Sequence, residues 1–143
     1  MATKKNKEME ILLRVKKFDV DECRKNLALL LEEEDLLNKK KFKLFVEMET
    51  EKKISDKSPE TAFSFAAYYQ RYLFKKALVE NEIKNTEQKI IKQREILAEK
   101  FFDLKTFEIS KDKLNEKEKY EENLMMQKNL DEVASNMYRL KNS

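Results

Sequence analysis

Apolar residues recur along this chain every three or four positions, with charged residues between them. In the first part the spacing picks out Met9, Leu13, Lys16, Val20, Cys23, Leu27, Leu30, Glu34, Leu37, Lys41, Leu44 and Met48, and nine of these twelve positions are apolar. In the second it picks out Phe65, Tyr69, Tyr72, Lys76, Val79, Ile83, Thr86, Ile90, Gln93, Leu97, Lys100 and Leu104, eight of them apolar. Such spacing lays one stripe along one face of an α-helix and is the heptad pattern of a left-handed coiled coil. The chain can turn at Ser55-Asp56-Lys57-Ser58-Pro59-Glu60-Thr61. Ser58 suits an N-cap, because its hydroxyl accepts from the first free backbone N–H groups. Pro59 then stands at the first helical position, where its missing donor costs nothing, and Glu60 favours the positive helix end. The expected fold is all-α, an antiparallel coiled-coil hairpin forming a single domain. Helix 1 covers about residues 5–55, the turn about 55–58 and a longer helix 2 about 59–140.

An antiparallel pair gives opposed residues a constant number sum. Folding about residue 56–57 sets that sum near 113, a register that puts Leu30 opposite Ile83 and Cys23 opposite Ile90. The polar slots then meet apolar ones: Lys16 meets Leu97, Glu34 meets Val79, Lys41 meets Tyr72, Lys76 meets Leu37 and Lys100 meets Leu13. Lys stems can lie along such a seam with their heads in water.

Two features exceed what one seam needs. Helix 2 outruns helix 1, so a tail over about 112–143 has no intramolecular partner. It presents Leu124, Met125, Leu130, Val133 and Met137. The alternatives there are a binding element, an oligomer interface or a fraying end. The second excess is Phe63 to Leu78, where Phe63, Phe65, Tyr68, Tyr69, Tyr72, Leu73, Phe74 and Leu78 surround the helix. Either some of these form a partner patch, or all of them thicken the hairpin end against Phe42, Phe45 and Val46.

Composition sharpens this picture. The 143 residues include no Gly and a single Pro, and 41% are charged. A chain with so few turn formers has room for about one reversal. The lack of Gly excludes a phosphate-cradling loop and a dinucleotide fingerprint, which need close backbone approach. The lack of His removes the commonest general base and metal ligand. The lone Cys23 can form neither an internal disulfide nor a thiolate zinc site. Carboxylate catalysis would need a walled pocket, which two paired helices do not provide. The expectation is a protein that is not an enzyme, with no cofactor, no metal and no catalytic residue.

The net charge is +3, from 31 basic and 28 acidic residues. The two signs interleave in both halves, so no cationic stripe suited to phosphates emerges, and nucleic acid is not an expected partner. No segment resembles a signal peptide or a membrane span, and one unpaired Cys fits a reducing compartment. The expected location is cytoplasmic, without direct membrane insertion.

The layout resembles the FliJ family, the small coiled-coil component of the bacterial flagellar type III export apparatus. The resemblance lies in the blocks from Leu12 to Leu37, the YYQRYL stretch (Tyr68 to Leu73) and the ending QKNLDEVA (Gln127 to Ala134). That ending is similar to the family's Q-K-x-x-D-E-x-A. The resemblance implies a non-enzymatic stalk like the two-helix part of a rotary ATPase γ subunit. Its implied partners are the export ATPase ring, the large cytoplasmic domain of the export gate and export chaperones. Its implied place is peripheral at the inner-membrane export apparatus. The resemblance maps gate binding onto Tyr72, Lys76, Val79 and Ile83, with Lys76 departing from the family's apolar position. All four also belong to the seam predicted above. Ring binding maps onto the tail residues Leu124, Gln127, Leu130, Asp131, Glu132 and Ala134. The alternatives are a cytoskeletal or scaffold coiled coil without an export role, and an RNA-binding helical arm. A stalk would be a monomer when free and bind a hexameric ATPase, a scaffold would self-associate, and an arm would bind RNA with steep salt dependence.

Overall fold

A computed structural model of the chain describes residues 4–142. It contains two helices, α1 (Lys4–Ser55) and α2 (Pro59–Asn142), and no strand among the described residues. The fold is an all-α, two-helix hairpin whose second helix is the longer.

The reversal shows how a chain without glycine turns. Asp56 N–H still donates to the Lys52 carbonyl at 3.1 Å, the last α-helical bond. The next two bonds tighten to three-residue spacing, Lys57 to Ile54 at 3.3 Å and Ser58 to Ser55 at 3.4 Å. Such tightening satisfies carbonyls at a helix end without a left-handed residue. No residue among those described has positive φ. The Ser58 hydroxyl then accepts from Glu60 N–H at 3.3 Å, the N-cap that the sequence predicts. Across the bend, the Thr61 hydroxyl lies 2.8 Å from the Ser58 carbonyl and 3.1 Å from that of Ser55. One side chain therefore ties the end of α1 to the start of α2.

The chain divides into two compact units. In the unit of residues 21–99, Cys23 and Met48 from α1 are buried with Tyr72, Val79, Ile83, Thr86 and Ile90 from α2. In the unit of residues 1–20 and 100–143, the buried residues are Asn6, Val20 and Leu104. All twelve predicted seam positions on α1 are buried or half-buried; on α2 only Tyr69 and Lys100 of the twelve are exposed. The helices therefore bury the predicted stripes, which supply most of the stability of such helices.

The register differs from the expected one. The Gln93 amide donates to the Cys23 carbonyl at 3.3 Å, and Thr61 reaches Ser55, both pairs summing to 116 rather than 113. In the unit of residues 1–20 and 100–143, the Asn6 amide donates to Asn115 Oδ1 at 2.8 Å and Glu10 meets Lys111 at 3.7 Å, both summing to 121. Seam membership is unchanged. A bend centred near residue 58 accounts for the sum of 116; the sum of 121 recurs at Lys41 and Glu80 within the unit of residues 21–99, so the bend position does not set every side-chain pairing.

Candidate partner-binding surfaces

The residues mapped to gate binding do not form a surface. Tyr72, Val79 and Ile83 are 7%, 3% and 9% exposed, packed within the unit of residues 21–99. A partner could reach them only by separating the helices. Lys76 is half-buried and held 3.9 Å from Glu80, whose carboxylate also meets Lys41 of α1 at 3.3 Å. Seam periodicity, not the resemblance, describes where these four side chains lie.

The aromatic excess after the turn divides into two groups. Phe65, Tyr68, Tyr69 and Tyr72 form a ladder of neighbouring rings with centroids 5.8–6.3 Å apart. This spacing suits offset or tilted aromatic contacts. Tyr68 is half-buried. Burial, together with the Glu47 and Glu51 carboxylates, pushes its phenol above the ordinary value of 10.0 despite Arg71. Phe63, Leu73, Phe74 and Leu78 instead point to solvent, with Phe63 86% exposed. The segment therefore contributes one group to the hairpin and leaves the other exposed. Phe42, Phe45 and Val46 of α1 are also exposed, so they do not bury the outer group.

The tail has no such division between inside and outside. Every residue from Lys119 to Asn142 is exposed. Contact with α1 reaches Asn115, beyond the boundary near residue 112 that the sequence suggests. Lys16 over the Phe107 ring at 5.5 Å also holds this region. Its end has a sequence cause. The face of α2 carrying Leu104, Phe107, Lys111 and Leu114 continues at heptad spacing into Glu118, Glu121, Met125, Lys128, Glu132 and Ser135. A seam that becomes mostly polar offers little apolar area to bury.

Leu124, Gln127, Leu130, Asp131, Glu132 and Ala134 are all exposed, but they do not share one face. At about 100° per residue, Leu124, Gln127, Asp131 and Ala134 form one strip, while Leu130 and Glu132 stand on nearly opposite sides. The sequence reading missed a cleaner strip, Met126, Leu130, Val133, Met137 and Leu140. Its 4-3-4-3 spacing is a two-heptad seam, and these residues are 54–77% exposed. That spacing was available in the sequence.

Among the described residues no cluster of three His, Cys, Asp or Glu could hold a metal ion, and no helix is long and apolar enough to cross a membrane. Cys23 is a free, buried thiol. In comparisons with known proteins, no family model, no curated protein and no solved structure matches this chain.

Proposed function

We propose that the chain is a non-enzymatic coiled-coil stalk of the bacterial flagellar protein export apparatus, coupling an export ATPase ring to the export gate and assisting export chaperones. The supporting observation is the asymmetry of the hairpin. Side-chain contact with α1 extends at least to Asn115, and from Lys119 onward α2 is an exposed helix that carries its own heptad strip. An exposed helix with an apolar stripe suits insertion among the subunits of a larger assembly. The tail also carries both signs of charge, including Asp131, Glu132, Lys128 and Arg139. Exposed ion pairs are individually weak, which suits a stalk that meets changing subunit conformations. The QKNLDEVA ending supports the same assignment by resemblance. Gate contact in this reading uses the exposed side chains near the turn, Phe42, Phe45 and Phe74, and not the buried Tyr72, Val79 and Ile83. The location is cytoplasmic, at the inner-membrane export apparatus.

Co-purification of the full chain with its native neighbours tests the reading directly. Recovery of a hexameric ATPase, and loss of that recovery on deleting residues 120–143, is the expected result. Recovery of filament or scaffold proteins without an ATPase would overturn it.

A further inference from the structure

The back of a paired helix is normally its most charged face, because it meets only water. On α2 between Phe63 and Asn81 it is not. Its outward strip carries Phe63, Ala66, Ala67, Gln70, Leu73, Phe74, Ala77 and Asn81, with Arg71 at one edge and Leu78 reaching back towards Lys40 and Leu44 of α1. The eight strip residues are exposed and uncharged, where the chain's 41% charge would place about three. The face belongs wholly to the unit of residues 21–99.

We propose that this face binds the same face of a second copy, antiparallel, about a two-fold axis at Gln70. The argument is self-complementarity. A two-fold interface requires that when residue i meets residue j, j also meets i. With the axis at Gln70, opposed numbers sum to 140 and four kinds of contact follow from the sequence. Phe63 meets Ala77, Ala66 meets Phe74, Ala67 meets Leu73, and Gln70 meets Gln70. Every large side chain faces a small one, and the only polar side chain on the central axis faces its own amide. The alanines let two helices approach to about 8 Å, the near end of helix packing distances. A glutamine amide carries both donors and an acceptor, so a facing pair can satisfy each other. Arg71 falls opposite Tyr69, which places a guanidinium against an aromatic ring.

The area is sufficient. Phe63 and Phe74 are 86% and 66% exposed, and Leu73 and Leu78 are 39% and 51% exposed. With aromatic side chains burying 150 Å² or more, these four give roughly 400 Å² per copy. The alanines, Gln70 and flanking stems bring the pair to about 1,000 Å², the lower bound for a specific interface. The dimer is therefore concentration-dependent; it replaces the expectation of a free monomer, so self-association no longer separates a stalk from a scaffold. It does not rest on the export reading, with which it shares only Phe74.

Sedimentation velocity on the full chain from about 1 to 100 μM, the range for a small interface, supplies the first test. A shift from monomer to dimer is expected. Phe74→Ala and Ala66→Phe should each weaken it at least tenfold, the first by losing contact and the second by placing two phenylalanines together. The double variant exchanges the pair and should restore dimerisation to within threefold, while Leu130→Glu in the tail should leave it unchanged. Because all these residues are exposed, helix content serves as a check that none unfolds the hairpin. A Gln70→Cys variant should form a disulfide dimer under a mild thiol oxidant, whereas Gln127→Cys should not; native Cys23 is buried. A monomer at every concentration, a dimer lost in Leu130→Glu, or a double variant weaker than both singles would each overturn the proposal.

Discussion

Asn6 of α1 and Asn115 of α2 are joined by a 2.8 Å amide–amide hydrogen bond, 109 residues apart in sequence. Asn6 is only 9% exposed, whereas Asn115 is exposed. The bond links a buried amide on α1 to an exposed one at the edge of α2. It fixes alignment, because a slip strands the Asn6 amide without its partner. Asn6→Ala should cost about 1 kcal/mol, the worth of a typical hydrogen bond. Replacing both residues with Leu should raise the melting temperature and loosen the register. Thermal unfolding followed by circular dichroism, with double spin labels flanking the site, checks both. A single sharp distance distribution in the double-Leu protein would show that the pair does not set alignment.

Core and tail should respond very differently to truncation of an apolar side chain. Ile83 is buried in the seam, so Ile83→Ala should cost about 2–3 kcal/mol. Leu130 is 64% exposed, and Leu130→Ala should change stability by no more than about 0.5 kcal/mol. Denaturant melts decide this. Equal losses would mean the tail is packed. The contrast bears on function, because loss of gate binding in Tyr72, Val79 or Ile83 variants would report a loosened hairpin before it reported a lost contact.

The seam was legible in the sequence because burial of a two-helix hairpin follows directly from 3-4 spacing. Val20, Cys23, Val79, Ile83 and Ile90 lie where that spacing places them. The register was less legible for an arithmetic reason. Opposed numbers sum to twice the bend position, so moving the bend by one residue moves every pairing by two. The Ser58 cap was read correctly, yet the bonds from Lys57 and Ser58 back to Ile54 and Ser55 carry the bend past the expected centre. Partner residues were the least legible. The 3-4 spacing places Phe65 in the seam and Phe63 outside it, as found, but spacing does not say which exposed side chains a partner covers. The resemblance could not override packing at Tyr72, because a side chain that fills the seam is unavailable to a partner.

The Tyr68 phenol gives a pH signature at the hairpin end. Its folded-state pKa lies above 10.0, chiefly through burial and then through Glu47 and Glu51. A phenol raised on folding holds its proton more tightly in the native state than in the unfolded chain. Its contribution is therefore complete below pH 10 and is lost as pH rises through the raised value. Tyr68→Phe cannot ionise, so it should lose less stability than the native chain between pH 10 and 12. Melts across that range, with phenolate absorbance followed in parallel, test the claim. Parallel loss in both proteins would show that other groups govern the alkaline limit.

The last prediction separates the two strips of the tail. One carries Leu124, Gln127, Asp131 and Ala134, and the other Met126, Leu130, Val133 and Met137. The two strips are centred about 110° apart and meet along Gln127 and Ala134, so a partner that grips a single helix along one leaves the far side of the other wet. The second strip is the better candidate, since its 4-3-4 spacing is unbroken and its flanks at Gln127, Asn129, Ala134 and Asn136 carry no charge to desolvate. Methionines along it adapt to shifting partner surfaces. If the tail enters an export ATPase ring, Leu130→Glu should abolish stimulation of ATP hydrolysis, and Met137→Glu should reduce it at least tenfold. Leu124→Glu should retain most of it, although Leu124 belongs to the strip that the sequence first suggested. All three residues are exposed, so helix content should not change. Stimulation lost in Leu124→Glu and kept in Leu130→Glu would assign the contact to the other strip. Full stimulation by a chain lacking residues 120–143 would remove the tail from the ring altogether and leave insertion to the hairpin end.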